Sequence, residues 1–183
     1  MPERETVRYV KKISIYNKFY YFCVLKKDTT LEEITSSEVV TIYSISFEKD
    51  GTTEFEKFVQ EFENNAVFNR QLNYVLAALD RILEKGALER FFRPEGKMND
   101  NVQALPIDRR KLRLYCMRLS DEVIILGNGG VKDARAYEQS KKLNGYVMDL
   151  QKFDALLKKE MLMGTITIEG RTIIGIEDKV FRI

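Results

Sequence analysis

The chain lacks histidine and tryptophan altogether, and has only two cysteines and three prolines in 183 residues. Without imidazole, any acid–base chemistry near neutral pH must fall to lysine, arginine, tyrosine or carboxylates. Cys23 and Cys116 both sit in apolar, strand-like runs, and no Cys-x-x-Cys or Cys/His spacing exists. They read as buried free thiols, which leaves a zinc or redox site without support. No apolar run reaches the ~18 residues a membrane span needs, and the opening MPERETVRYVKK has no apolar signal core. A cytoplasmic protein of bacterial or viral type, with no membrane partner, is the expectation. Internal repeats and low-complexity segments are also missing.

What is present is an ordinary globular composition, 44% hydrophobic and 32% charged. The length suits one domain over 1–183, long enough to bury roughly two-thirds of its unfolded surface without staples. The net charge of +2 hides an uneven distribution. Residues 29–66 carry nine acidic and two basic side chains, residues 109–142 nine basic and four acidic, and the first 28 residues add +4. Such asymmetry points to a basic face for a polyanion. Its alternative is that the opposite patches pair within the fold.

Residues 9–27 are rich in Tyr, Phe, Val and Ile and read as one strand, or as two with a turn near Asn17. Residues 38–48 form a second β-rich run whose alternation predicts one covered face, and Asp50-Gly51 marks a turn. Thr53 and Glu56 make a capping box, and Phe55, Phe58, Val59 and Phe62 form a helical stripe behind it. A second helix spans about 66–85 with Gly86 as its C-cap. The two helices are expected to form a hairpin lying on a sheet. Strands are predicted over 111–119 and 122–127, joined by a turn at Ser120-Asp121 and ended by Gly127, Gly129 and Gly130. A helical segment from Ala134 to Leu143, a break at Gly145, a helix over 149–162 and a hairpin turning at Glu169-Gly170 complete the chain.

The segment KLRLYCMRLSDEVIILGNGGVKDARAY, Lys111 to Tyr137, carries the chemistry. GNGGVK matches neither GxxxxGK[ST] nor GxGxxG, so its glycines read as backbone freedom and not as a phosphate cradle. Strand parity sets Arg113, Tyr115 and Met117 on one face and Leu112, Leu114 and Cys116 on the other. With the leucine face inward, Arg113 and Tyr115 are expected to line an outer groove. Lys132, Arg135 and Tyr137 follow at the strand exit. Asp121 and Glu122 are adjacent on a turn, so their side chains diverge, and a carboxylate-based hydrolase finds no support there.

The order of elements is a strand, a helix hairpin, a connecting strand, LRLYC, a turn at SDE, VIILGNGG, and K-x-x-R-x-Y opening a final helix. It resembles the RelE/ParE superfamily of bacterial toxins, including RelE- and HigB-like messenger RNA interferases, over about residues 38–143. The resemblance implies an α+β fold with a curved antiparallel sheet packed against the helical hairpin. To that core the chain adds an N-terminal β segment (1–37) and a C-terminal helix plus hairpin (144–183). These additions make it about twice as long as such toxins usually are, and either widen the sheet, bury the groove or mediate dimerisation.

The resemblance further implies a type II toxin that cuts messenger RNA on the ribosome without a metal or other cofactor. Its partners would be a cognate antitoxin (a small helix-turn-helix or acidic protein), messenger RNA and the ribosome, with a homodimer as a further state. Arg113 would face the scissile phosphate, Lys132 and Arg135 would stabilise negative charge, and Tyr137 would stack a base or assist proton transfer. Lys97, Arg110, Lys111 and Tyr115 would bind RNA around them. Some branches poison DNA gyrase, and the alternative is a non-catalytic protein-binding module on the same fold. The physical case stands beside the resemblance. Attack of a 2′-hydroxyl builds charge on phosphorus, which oriented cations stabilise, and arginine clamps phosphate while staying charged.

Overall fold

A computed structural model describes residues 9–15, 18–24, 27–47, 51–95, 101–105, 111–132 and 137–183, with the backbone alone for 9–15, 18–24 and 137. The β-rich start forms two strands, β1 (Tyr9–Ile15) and β2 (Lys18–Val24), paired as an antiparallel hairpin that is a sheet of its own. A strand that the alternation did not flag follows, β3 (Asp28–Ser36), and then β4 (Thr41–Ser46).

Helix α1 (Glu54–Glu63) starts where the capping box places it. The Thr53 hydroxyl accepts from the Glu56 amide at 3.2 Å, and the Glu56 carboxylate accepts from the Thr53 amide at 2.7 Å. Helix α2 (Asn69–Lys85) ends at Gly86, whose φ of 83° is open to a residue without Cβ and whose N–H closes onto Ile82. Short strands β5 (Arg93–Pro94) and β6 (Val102–Ala104) precede the long hairpin of β7 (Leu112–Arg118) and β8 (Val123–Val131). Helix α3 (Lys141–Leu162), the small hairpin β9 (Thr167–Glu169) and β10 (Thr172–Ile174), and β11 (Phe181–Arg182) close the chain.

The fold is α+β, built on a seven-stranded sheet in the order β11-β3-β4-β8-β7-β6-β5. Every neighbouring pair is antiparallel except β4 and β8, which run parallel, so the expected antiparallel sheet is in fact mixed. The reason is topological. The chain leaves β4 through α1 and α2, and the three-stranded meander β6-β7-β8 brings its last strand back beside β4 in the same direction.

Both faces of this sheet are covered. On one side α1 and α2 set Phe58, Phe62, Leu72, Val75, Leu79 and Ile82 against Ile42, Leu112, Leu114, Cys116, Ile124 and Leu126. On the other, α3 sets Leu143, Val147, Leu150, Phe153 and Leu157 against Tyr43, Ile45, Tyr115, Met117, Val123 and Ile125. All six residues of β4 are therefore buried, not one face of it.

Two expectations about glycine are corrected here. Strand β8 does not stop at Gly127 but runs through all three glycines to Val131. A Cβ at Gly129 would lie 2.0 Å from the Arg113 carbonyl oxygen, and one at Gly127 2.9 Å from Leu150. The glycines let neighbouring backbone and α3 approach. Gly145 likewise does not break a helix, because α3 runs through it as one element. A helical glycine costs only about 1 kcal/mol relative to alanine, less than the burial of the five apolar side chains around it supplies.

Candidate functional site

Arg113 is the second residue of β7 and lies opposite Gly130 of β8. Directly opposed residues share a face, so Arg113 stands on the α3 side of the sheet. It is 9% exposed, and its Nη1 donates to the Leu112 carbonyl at 3.0 Å. Burial lowers its pKa most. The neighbouring charge of Arg93 adds to that, while Glu95 acts in the opposite direction.

Lys132 follows directly on β8. Its amide donates to the Lys111 carbonyl at 2.7 Å, which carries the β7–β8 ladder one pair further and sets the exposed Lys111 opposite it. The Lys132 ammonium donates to both carboxylate oxygens of Glu95 at 3.2 Å. That carboxylate is 7% exposed, and the ammonium side chain is 16% exposed.

Glu95 comes from the far edge of the sheet. Arg93 of β5 pairs with Ala104 of β6, which pairs with Tyr115 of β7, so all three share the α3 face. The Glu95 amide reaches the Val102 carbonyl at 3.4 Å, which carries the same parity two residues on. Arg93, Glu95, Arg113 and Lys132 thus share one face of the sheet, where Lys132 pairs with Glu95 and the charges of Arg93 and Glu95 act on Arg113. On α2, Gln71 Oε1 accepts from the amides of Lys111 and Leu112 at 3.0 and 3.1 Å and pins the start of β7.

The residues expected at the site fare differently. Arg113 and Lys132 share a sheet face, and Lys132 pairs there with Glu95. Tyr115 shares their face but is fully buried, and α3 covers the place where an outer groove was expected. The expectation that Tyr115 lines an outer groove and binds RNA there is therefore corrected: its ring is core. Lys97, Arg110 and Arg135 lie outside the described residues, as does the side chain of Tyr137, whose backbone begins a single 3-10 turn (Tyr137–Gln139) before α3.

Arg93 and Glu95 were missed. They flank Pro94 in a stretch without periodicity, where proline reads as a stop, and only pairing with β6 brings them to the hairpin. Asp121 is not simply solvated either. It pairs with Arg118, whose Nε donates to the Ala87 carbonyl at 2.6 Å and ties the closed end of the hairpin to the exit of α2.

Asn128 of the glycine-rich run serves the scaffold. Its Nδ2 donates to the buried Glu54 carboxylate at 2.9 Å, and its Oδ1 accepts from the Gly129 amide at 2.7 Å. Lys57 completes the Glu54 ion pair at 3.1 Å. Every polar group of this cluster is engaged, so it fastens α1 to β8.

Among the described residues no group of three or more Cys, Asp or Glu side chains is placed to hold a metal ion, and no helix is long and apolar enough to cross a membrane. No family model, curated protein or solved structure matches the chain.

Proposed function

We propose that this chain is a toxin of the RelE/ParE type that cleaves RNA, acting in the cytoplasm against messenger RNA on the ribosome and held in check by a cognate antitoxin. The observation that carries this reading is the placement of Arg93, Arg113 and Lys132 on one sheet face with Glu95, which pairs with Lys132. The order of β4, α1, α2, β6, β7 and β8 along the chain is the one on which the resemblance rests, in a sheet that is mixed where the resemblance implies an antiparallel one.

The chemistry follows from the groups present. Arg93 and Arg113 hold the scissile phosphodiester as fixed cations. A phosphate oxygen takes the place of Glu95 on Lys132, whose ammonium then stabilises the charge that develops on phosphorus. The released carboxylate accepts the 2′-hydroxyl proton as the 2′-oxygen attacks phosphorus. The bond from phosphorus to the 5′-oxygen breaks, and that oxygen takes up a proton, for which Tyr137 is the candidate donor. The products are a 2′,3′-cyclic phosphate and a 5′-hydroxyl.

Expression of the chain alone should arrest growth and cut messages, and Arg113→Ala, Lys132→Ala and Glu95→Gln should each abolish cutting. Harmless expression with intact messages would sink the reading. A second reading, a non-catalytic protein-binding module, draws on the same ion pair, since Glu95 already neutralises Lys132 and Arg113 is nine-tenths buried. Salt separates the two. Binding of single-stranded RNA through phosphates falls with a log–log slope of roughly −0.7 per contact, whereas the module would show no RNA binding to titrate.

A further inference from the structure

The outer lane beside β3 is only partly filled. Strand β11 pairs with Asp28 and Thr29, and Lys27 and Ile183 exchange backbone hydrogen bonds at 2.9 and 3.1 Å. Beyond Thr29, no strand among the described residues pairs with the outer edge of β3, so along Thr30–Ser36 the backbone donors and acceptors that alternate away from β4 face outward. Two adjoining grooves of about 400 and 550 Å³ run along this edge and share Glu33 and Thr172. Glu32, Glu33, Glu38, Glu177 and Asp178 line them against only Arg171 and Lys179. Lys179 is itself paired with Glu160 at 2.6 Å, and Arg171 donates to the Ser37 carbonyl. The edge is therefore acidic. The Tyr43 hydroxyl beside it keeps its proton to higher pH, through burial first and then through Glu33 and Glu177, against the hydrogen bond from Ile173.

The β1–β2 hairpin has the opposite character. Its strands are seven residues each, and they carry Lys11, Lys12 and Lys18 with no acidic residue. It joins no other sheet, and a lone two-stranded hairpin is marginal in water. It cannot turn tightly onto its own β3, because only residues 25–27 separate β2 from β3 and β11 already fills the lane at that point.

We propose that the β1–β2 hairpin of a second copy of this chain adds to the free edge of β3, so that two copies exchange hairpins. Strand addition supplies backbone hydrogen bonds over matching lengths, and the opposed charges choose the partner. The glutamates and the irregular register between Glu33 and Thr35 also guard the edge, since they disfavour neutral or acidic strands and admit a lysine-bearing one.

The test is the solution mass of the full chain by sedimentation equilibrium at low salt, with two sets of substitutions. The wild type should show twice the monomer mass. Glu33→Lys with Glu38→Lys should give monomer, as should Lys11→Glu, Lys12→Glu and Lys18→Glu together. Combining both sets should restore the dimer, an outcome that damaged folding does not produce. A monomeric wild type, a dimer indifferent to either set, or no rescue in the combination would each overturn the proposal. A wild type that stays monomeric yet binds a basic peptide counts as the first of these.

Discussion

The two faces of the central sheet are made by the same strands and do different work. Toward α1 and α2, β7 presents Leu112, Leu114 and Cys116, and the layer is closed by leucine, isoleucine and phenylalanine. Toward α3, the same strand presents Arg113, Tyr115 and Met117. Tyr115 and Met117 lie among the apolar side chains of that core, and Arg113 ends the row beside Gly130, Glu95 and Lys132. A strand in a mixed sheet covered on both sides has no solvent face. Charge survives only at its end, where one covering element begins and the neighbouring strand supplies a counter-charge. The two charged side chains of β7, Arg113 and Arg118, stand near its opposite ends, and the proposed RNA site uses the Arg113 end.

The largest loss of stability is expected on the helical-hairpin side of the sheet. Leu114→Ala removes a fully buried side chain between α2 and the sheet and should cost about 2–5 kcal/mol in urea unfolding. Arg113→Met should cost less than that, and under the proposed function it abolishes RNA cutting. If Arg113→Met proved the more damaging to stability, the distinction drawn between the faces would fail.

Glycine offers the next contrast. Gly129→Ala drives a Cβ into the Arg113 carbonyl and should destabilise by about 1–3 kcal/mol, whereas Gly145→Ala meets nothing within 4 Å and should stabilise by about 0.5–1 kcal/mol. Thermal melts of the two variants should therefore move in opposite directions.

Cys116 sharpens the contrast through pH. Burial raises its thiol from 9.0 to about 12. Unfolded chains lose this proton from about pH 9 upward while the native state retains it, so the unfolded state binds fewer protons and stability falls as pH rises from 9 toward 12. Cys116→Val should flatten that part of the stability–pH curve, and the native thiol should resist a thiol reagent at pH 8 until the protein unfolds. A smaller effect belongs to the cap of α1: Thr53→Ala should cost about 1 kcal/mol, read from the denaturation midpoint.

Local signals were legible where the physics is local. The Thr53–Glu56 box, the phenylalanine stripe of α1, the Gly86 C-cap of α2 and the Ser120-Asp121 turn each depend on residues within a few positions, and each appears in the structure. The parity of β7 was legible too, since alternation is a property of the extended backbone. What parity cannot say is which face meets water, and Tyr115 was misplaced for that reason. Strand β3 escaped notice because an edge strand rich in Thr and Glu has no apolar run to betray it. Arg93 and Glu95 escaped because their place depends on pairing with β6, about ten residues away across a stretch without pattern.

The sequence by itself determined the absence of imidazole chemistry, the two helices with their caps, the β7–β8 hairpin and the alternation that separates Arg113 from Leu114. Those follow from short-range hydrogen bonding, side-chain period and composition. Tertiary packing alone makes β4 and β8 run parallel, carries α3 through Gly145 and over Tyr115, and brings Glu95 to Lys132. Each of these depends on which elements cover which face, and burial of apolar area, being non-directional and long-range, leaves no local mark from which such neighbours can be read.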